Sequence, residues 1–241
     1  MSDGRIVLIT GANRGLGREV ARQLAAAGAT VYVTARRRTD AAETADAVGG
    51  DVRAVPVDLD VADPEAVAAA AAAFADDPGR LDVLINNAAA FVDWTETGSS
   101  ADLARASEVM QTNLFGAWRM IQAFLPLLRA SAHPRIVNVA SGGGSHADDQ
   151  FGLTRRGGAA ASYGISKAAL NALTSTMAAE LADTPILVNS VCPGLTATWS
   201  GAEQMGARPV EDGARSVIFA ATLPDDGPRG GFFRDGAPLG W

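Results

Sequence analysis

Seven short, nearly unbroken apolar runs punctuate the 241-residue sequence, and helix-patterned stretches separate most of them. The runs lie at residues 5–10 (RIVLIT), 30–34 (TVYVT), 52–57 (VRAVPV), 81–85 (LDVLI), 135–139 (RIVNV), 186–191 (ILVNSV) and 231–233 (GFF). Runs of this length without polar alternation suit strands buried on both faces of a parallel sheet. Helical patterning covers 16–27, stopping at Gly28, and restarts at Asp63-Pro64 with proline at the first helical position. It returns at 103–128, interrupted by Pro126, then at 162–181 and 210–221. Strands alternating with helices need right-handed crossovers. The expected architecture is therefore α/β, a doubly wound parallel sheet of about seven strands with helices on both faces. The length fits one domain over 1–241, with irregular stretches at 91–100, 142–161 and 195–208 and no internal repeat.

Composition narrows the function. The formal net charge of −7 opposes nucleic-acid binding, which normally needs a basic surface. One cysteine excludes an intramolecular disulfide, and one cysteine with two histidines leaves no dedicated zinc site. No apolar run approaches the roughly eighteen residues of a membrane span, and the first residues lack the basic and apolar parts of a secretory signal. The expectation is a soluble, cytoplasmic protein without bound metal. Alanine runs such as 68–73 read as helix filler.

Two clusters carry chemistry. The turn after the first run reads TGANRGLG at 10–17 and opens the first helix. Glycines there allow a tight turn and let a pyrophosphate approach the helix N-terminus. The second run ends in Ala35 followed by Arg36, Arg37 and Arg38, with no carboxylate to accept from a ribose hydroxyl. Guanidinium forks suit a phosphate dianion, so the expected cofactor is NADPH/NADP+. Tyr163 and Lys167 are four residues apart on one helix face. A phenol titrates near pH 10, and an ammonium about 4 Å away contributes up to ~4 kcal/mol at a dielectric of ~20. That is enough to lower the phenol pKa by about two to three and suit it to acid–base work.

The TGxxxGxG spacing, NNA at 86–88 and YxxxK at 163–167 together resemble the classical short-chain dehydrogenase/reductase family over essentially the whole chain. The half running from Tyr163 through Cys192-Pro193-Gly194 to GGFFRD is most similar to its carbonyl-reductase branch. The resemblance implies a Rossmann-type fold and an NADP-dependent carbonyl reductase or ketoreductase acting on a small-molecule carbonyl substrate. It assigns Gly11, Asn13, Arg14, Gly15, Leu16 and Gly17 to the cofactor turn, and Arg36 with Arg14 to the added phosphate. Asp58 and Leu59 match the adenine contacts, and Asn86 and Ala88 the turn lining the cofactor. Pro193, Gly194, Thr196 and Thr198 match the nicotinamide segment, while Tyr163 and Lys167 also touch the cofactor. Ser141 matches the serine that binds the substrate oxygen, and Asn113 the asparagine that holds a water beside the lysine. Trp94, Phe151, Leu195, Trp199 and Met205 are candidate substrate walls, beside loops at about 142–161 and 195–208. The chain departs from the pattern at Ala89 (usually Gly), at Ala140 (often Ser) and at Trp199-Ser200, where an Asp-Met pair is usual. Family members associate through helices matching 103–128 and 162–181, so a homodimer or homotetramer is expected. Other readings are an oxidative alcohol dehydrogenase, a biosynthetic enzyme acting on C=N or C=C or as a cyclase, and a non-catalytic nucleotide sensor.

Overall fold

The computed structural model describes residues 4–241. Eight strands form a single sheet: β1 (Ile6–Ile9), β2 (Thr30–Val33), β3 (Val52–Ala54), β4 (Val83–Asn86), β5 (Arg135–Val139), β6 (Leu187–Val191), β7 (Phe232–Arg234) and β8 (Ala237–Pro238). Their order is β3-β2-β1-β4-β5-β6-β7-β8, and every neighbouring pair except the last is parallel. Every residue of β1, β4, β5 and β6 is buried, as expected of strands covered on both faces. The helices are α1 (Gly15–Ala26), α2 (Arg38–Val48), α3 (Pro64–Asp76), α4 (Leu103–Met110), α5 (Ala117–Arg129), α6 (Ala161–Glu180) and α7 (Val210–Ala221). One core packs Phe74 of α3, Met120 and Phe124 of α5 and Leu170 of α6 against one sheet face. The other packs Val20 and Leu24 of α1, Ala41 of α2 and Val217 of α7 against the opposite face.

The local signals explain most boundaries. α1 ends on Gly28 at φ 88, where Gly28 N donates to Ala25 O and Ala29 N to Leu24 O. Asp63 caps α3 by accepting from Glu65 N at 2.9 Å, ahead of Pro64.

Two expectations need correction. Among the described residues the sheet has eight strands, and it is not wholly parallel. Asp235 (φ 54) and Gly236 (φ 78) both turn left-handed, and this Asp-Gly pair folds β8 back antiparallel onto β7. Pro126 does not interrupt its helix: α5 runs through it to Arg129, forfeiting the backbone bond that proline cannot donate. The irregularity comes earlier, as a π-helical turn over Gln111–Gly116 between α4 and α5. There Gly116 lies so close to Val61 that an added Cβ would stand 2.6 Å from its methyl group.

The strand order reverses between β1 and β4, and in doubly wound sheets the crevice beyond the strand ends at that point is where ligands bind. The turns following β1, β4 and β5 therefore converge.

Candidate active site

The glycine turn is stitched to the loop after β4. Thr10 Oγ1 accepts from the backbone N–H groups of Asn87 and Ala88 at 3.0 Å, and Asn87 Nδ2 donates to Thr10 O and Gly11 O. Two glycines are needed for this approach: a Cβ on Gly11 would lie 2.9 Å from Ala88 Cα, and one on Gly17 would lie 2.6 Å from Asn87 Nδ2. α1 then starts at Gly15 with no side-chain cap from Arg14 and no acidic residue in its first turn. Its first N–H groups and dipole are left to an anion. Arg37 is committed to Asp40 at 2.6 Å, whereas Arg14 and Arg36 are exposed and make no ion pair among the described residues. A glycine cradle, an uncapped helix start and uncommitted guanidinium groups fit a dinucleotide that carries an extra phosphate. Asp58 accepts from the Arg38 backbone N–H at 2.6 Å, and Leu59 N donates to Ala35 O, so both stand where β2 meets α2. Asn86 is buried in β4, its amide donating to Asn138 Oδ1 at 2.9 Å.

Ser141, Tyr163 and Lys167 come together at the end of β5. Ser141 is extended, and its Oγ accepts from Gly143 N at 3.1 Å, which leaves its hydroxyl proton to give. Gly143 borders both Ser141 and Tyr163; a Cβ there would lie 3.4 Å from Ser141 Oγ and 3.9 Å from the Tyr163 ring. Lys167 is only 2% exposed, and its Nζ donates to Val139 O at 2.8 Å while lying 5.7 Å from the Tyr163 ring centroid. It is also the only lysine in the sequence, every other residue of the twenty lysines and arginines being arginine.

The electrostatics differ from the sequence expectation. Burial pushes the Tyr163 phenol up to about 12, against the opposing pull of a hydrogen bond with Ser141. Burial also brings the Lys167 ammonium down to about 8. Lys167 does not set the phenol: its head group is turned to the Val139 carbonyl, desolvation outweighs the Ser141 hydrogen bond, and Cys192 adds to the upward push. Tyr163 is therefore a protonated acid throughout the neutral range.

Asn113 sits in the π-helical turn, a distortion that recurs at functional sites. Its amide accepts from Ala90 N at 2.7 Å and donates to Ala90 O and to Ser166 Oγ at 3.0 Å, tying the loop after β4 to α6. Glu96, which the sequence reading passed over, does similar work. α6 follows Ala160, a left-handed residue with no capping side chain. The missing cap comes from Glu96, whose carboxylate accepts from Ser162 N at 2.9 Å and Ser162 Oγ at 2.6 Å.

The remaining candidates divide. Thr198 lies over the glycine turn, 3.2 Å from where a Gly15 Cβ would be. Thr196 is buried, and its hydroxyl is directed back to Pro193 O and Gly194 O. Trp94 stands edge-on to Tyr163 at 5.5 Å, and Trp199 stacks on Trp94 at 6.3 Å. Phe151 instead packs under Arg156, Leu195 joins the backbone pairing that closes the base of its loop, and Met205 is exposed. Phe91 is the aromatic missed in the sequence: its ring stacks on Tyr163 at 5.4 Å and 18°. It lies in an irregular loop with no periodicity to reveal its direction. The 142–161 loop is held from below by Asp148, which accepts from Gln150 N, Phe151 N and the Arg234 guanidinium. Arg234 in turn donates to Cys192 Sγ, which also accepts from Gly142 N.

The family model for short chain dehydrogenases matches residues 5–207. The chain is 36% identical to a rhamnolipids biosynthesis 3-oxoacyl-[acyl-carrier-protein] reductase of Pseudomonas aeruginosa, over 79% of this chain and 72% of that one. Its structure is similar to an NADPH-bound carbonyl reductase from chicken fatty liver, with a TM-score of 0.85 and 29% identity over 99% of this chain and 100% of the other. It is also similar to the RhlG/NADP active-site complex of Pseudomonas aeruginosa, with a TM-score of 0.81 and 32% identity over 98% and 97% of the two chains.

Proposed function

The chain belongs to the short chain dehydrogenase family, and on that premise we propose that it reduces the carbonyl of a small, apolar or bulky ketone or aldehyde to the alcohol, with NADPH as reductant and Tyr163 as acid. One observation carries the reading: the Ser141 hydroxyl and the protonated Tyr163 phenol are hydrogen-bonded neighbours at the end of β5, a pair that an entering carbonyl oxygen can part and bind. A carbonyl oxygen between them accepts two hydrogen bonds, so charge developing on it meets donors already oriented. Bound NADPH supplies the hydride that the carbonyl carbon takes up. Tyr163 gives its proton to the oxygen, completing the alcohol, and Lys167, one helical turn along α6, would hold the cofactor beside it. Asn113 and Glu96 act as positioning residues, holding α6 against the loop after β4.

Arg14 and Arg36 support NADPH over NADH, since both guanidinium groups are exposed beside the start of α1 and the end of β2. The NADPH- and NADP-bound structures among the similar proteins support the same choice. A homo-oligomer contact is assigned to the faces of α5 and α6, where Trp118 and Ile165 are exposed, as is Phe115 of the π-helical turn; a monomer in sedimentation velocity would remove it. Among the described residues no helix is long and apolar enough to cross a membrane.

The test is Tyr163→Phe assayed against a panel of ketones and aldehydes by loss of NADPH absorbance. Removing the acid is expected to lower kcat/KM by about 100- to 10,000-fold, with NADPH affinity unchanged within a few-fold. Retained turnover overturns the assignment.

A further inference from the structure

We propose that the substrate carries its carbonyl on a planar aromatic ring and that Phe91 is the residue selecting for that ring. This rests on the carbonyl-reduction reading above and names the substrate class for the same site.

Three aromatic side chains stand at the acid. Phe91 lies nearly parallel to Tyr163 at 5.4 Å, Trp94 presents to the same phenol at 69°, and Trp199 extends the surface from Trp94. All three remain open, at 44%, 40% and 39% exposure. Large aromatics that serve a core are usually closed over by their neighbours, as Phe74 and Phe124 are here. These three instead keep π surface available beside a hydroxyl pair that binds a carbonyl oxygen. A ring conjugated to that carbonyl is coplanar with it, so fixing the oxygen at Ser141 and Tyr163 sets the ring's plane as well. A flat ring then meets Phe91 and Trp94 in the offset or edge-on contacts that aromatic pairs favour, whereas a puckered saturated ring cannot.

The loop bearing Phe91 and Trp94 is clamped at several points. Glu96 binds Ser162 at the start of α6, Arg105 donates to Phe91 O at 2.8 Å while paired with Glu108, and Asn113 holds Ala90 from both sides. Thr95 N and Oγ1 both close on Asp93 Oδ1 between Phe91 and Glu96. An aromatic surface fixed before the ligand arrives loses little freedom on binding, which favours selectivity.

The experiment compares acetophenone with cyclohexyl methyl ketone, two substrates of matched size, using wild type, Phe91→Leu and Phe91→Tyr with NADPH. Phe91→Leu is expected to lower kcat/KM for acetophenone about fivefold, the size of one aromatic contact, and to leave cyclohexyl methyl ketone within about twofold. Phe91→Tyr is expected to keep the wild-type ratio. Equal loss on both ketones, or on neither, overturns the proposal while leaving carbonyl reduction standing. Binding of 1-phenylethanol and 1-cyclohexylethanol, followed by tryptophan fluorescence in the presence of NADP+, gives a readout independent of turnover. If neither ketone turns over, the reduction reading fails on these substrates. The aromatic site then stands only if 1-phenylethanol binds about fivefold tighter than its saturated analogue and loses that advantage in Phe91→Leu; equal binding overturns it.

Discussion

Replacing Lys167 with methionine removes a buried cation of similar length, and the structure fixes how stability should respond. The ammonium is brought from 10.5 to about 8 by burial, which corresponds to about 3 kcal/mol of destabilisation when it is charged. Between pH 8 and 10.5 the unfolded chain keeps a proton that the folded chain has released. Unfolding then takes up protons, and wild-type stability rises with pH across that window. Below pH 8 both states are protonated and the full penalty is present. The variant lacks this titration but also loses the hydrogen bond to Val139 O, worth about 1.5–3 kcal/mol for a charged donor. At pH 7 the two effects nearly offset. By pH 10.5 wild type should have gained about 3 kcal/mol on the variant. Urea unfolding without cofactor at pH 7, 8, 9 and 10.5 measures this directly. No other lysine titrates in the window. Tyr163, raised to about 12 in the folded chain, makes stability fall with pH above 10, and does so in both. Parallel stability curves from pH 7 to 10.5 would refute the reasoning.

Ser141→Ala leaves the substrate oxygen with one donor, and kcat/KM should fall about 100- to 1,000-fold with NADPH affinity unchanged, as measured by steady-state kinetics and cofactor titration. Arg36→Ala should weaken NADPH about tenfold or more and leave NADH alone. Arg37→Ala should change neither by much because Arg37 is paired with Asp40; equal effects of the two variants would argue against the phosphate assignment. Glu96→Ala uncaps α6 and should cost about 1 kcal/mol in urea unfolding, with kcat falling more than KM changes, while Glu96→Gln recovers most of both.

The sheet was legible because β1, β4, β5 and β6 are buried on both faces and so read as continuous apolar runs. The cofactor turn was legible because its glycines are placed by close backbone approach, which only one residue type allows. The eighth strand had a signal too, the Asp235-Gly236 turn, but two residues of strand give no pattern to pair with it. What sequence could not supply was direction. Four-residue spacing puts Lys167 on the face of Tyr163, yet cannot say that its head group turns to Val139 and leaves the phenol to burial. Glu96 caps a helix 66 residues away, and Phe91 stacks on Tyr163 from a loop. Neither contact is encoded in local periodicity.

The solitary lysine has a practical consequence. Apart from the amino terminus, the chain offers amine-directed reagents a single target, and that target lies inside the site at 2% exposure. Lowered to about 8, half of its amine is unprotonated and nucleophilic by pH 8, where an ordinary lysine is almost wholly charged. Access therefore governs labelling more than protonation does. The rate at which an amine reagent adds one adduct at Lys167 becomes a clock for how often the wall around the acid opens. Surface immobilisation through lysine, the commonest covalent attachment, is closed to this molecule except at its amino terminus.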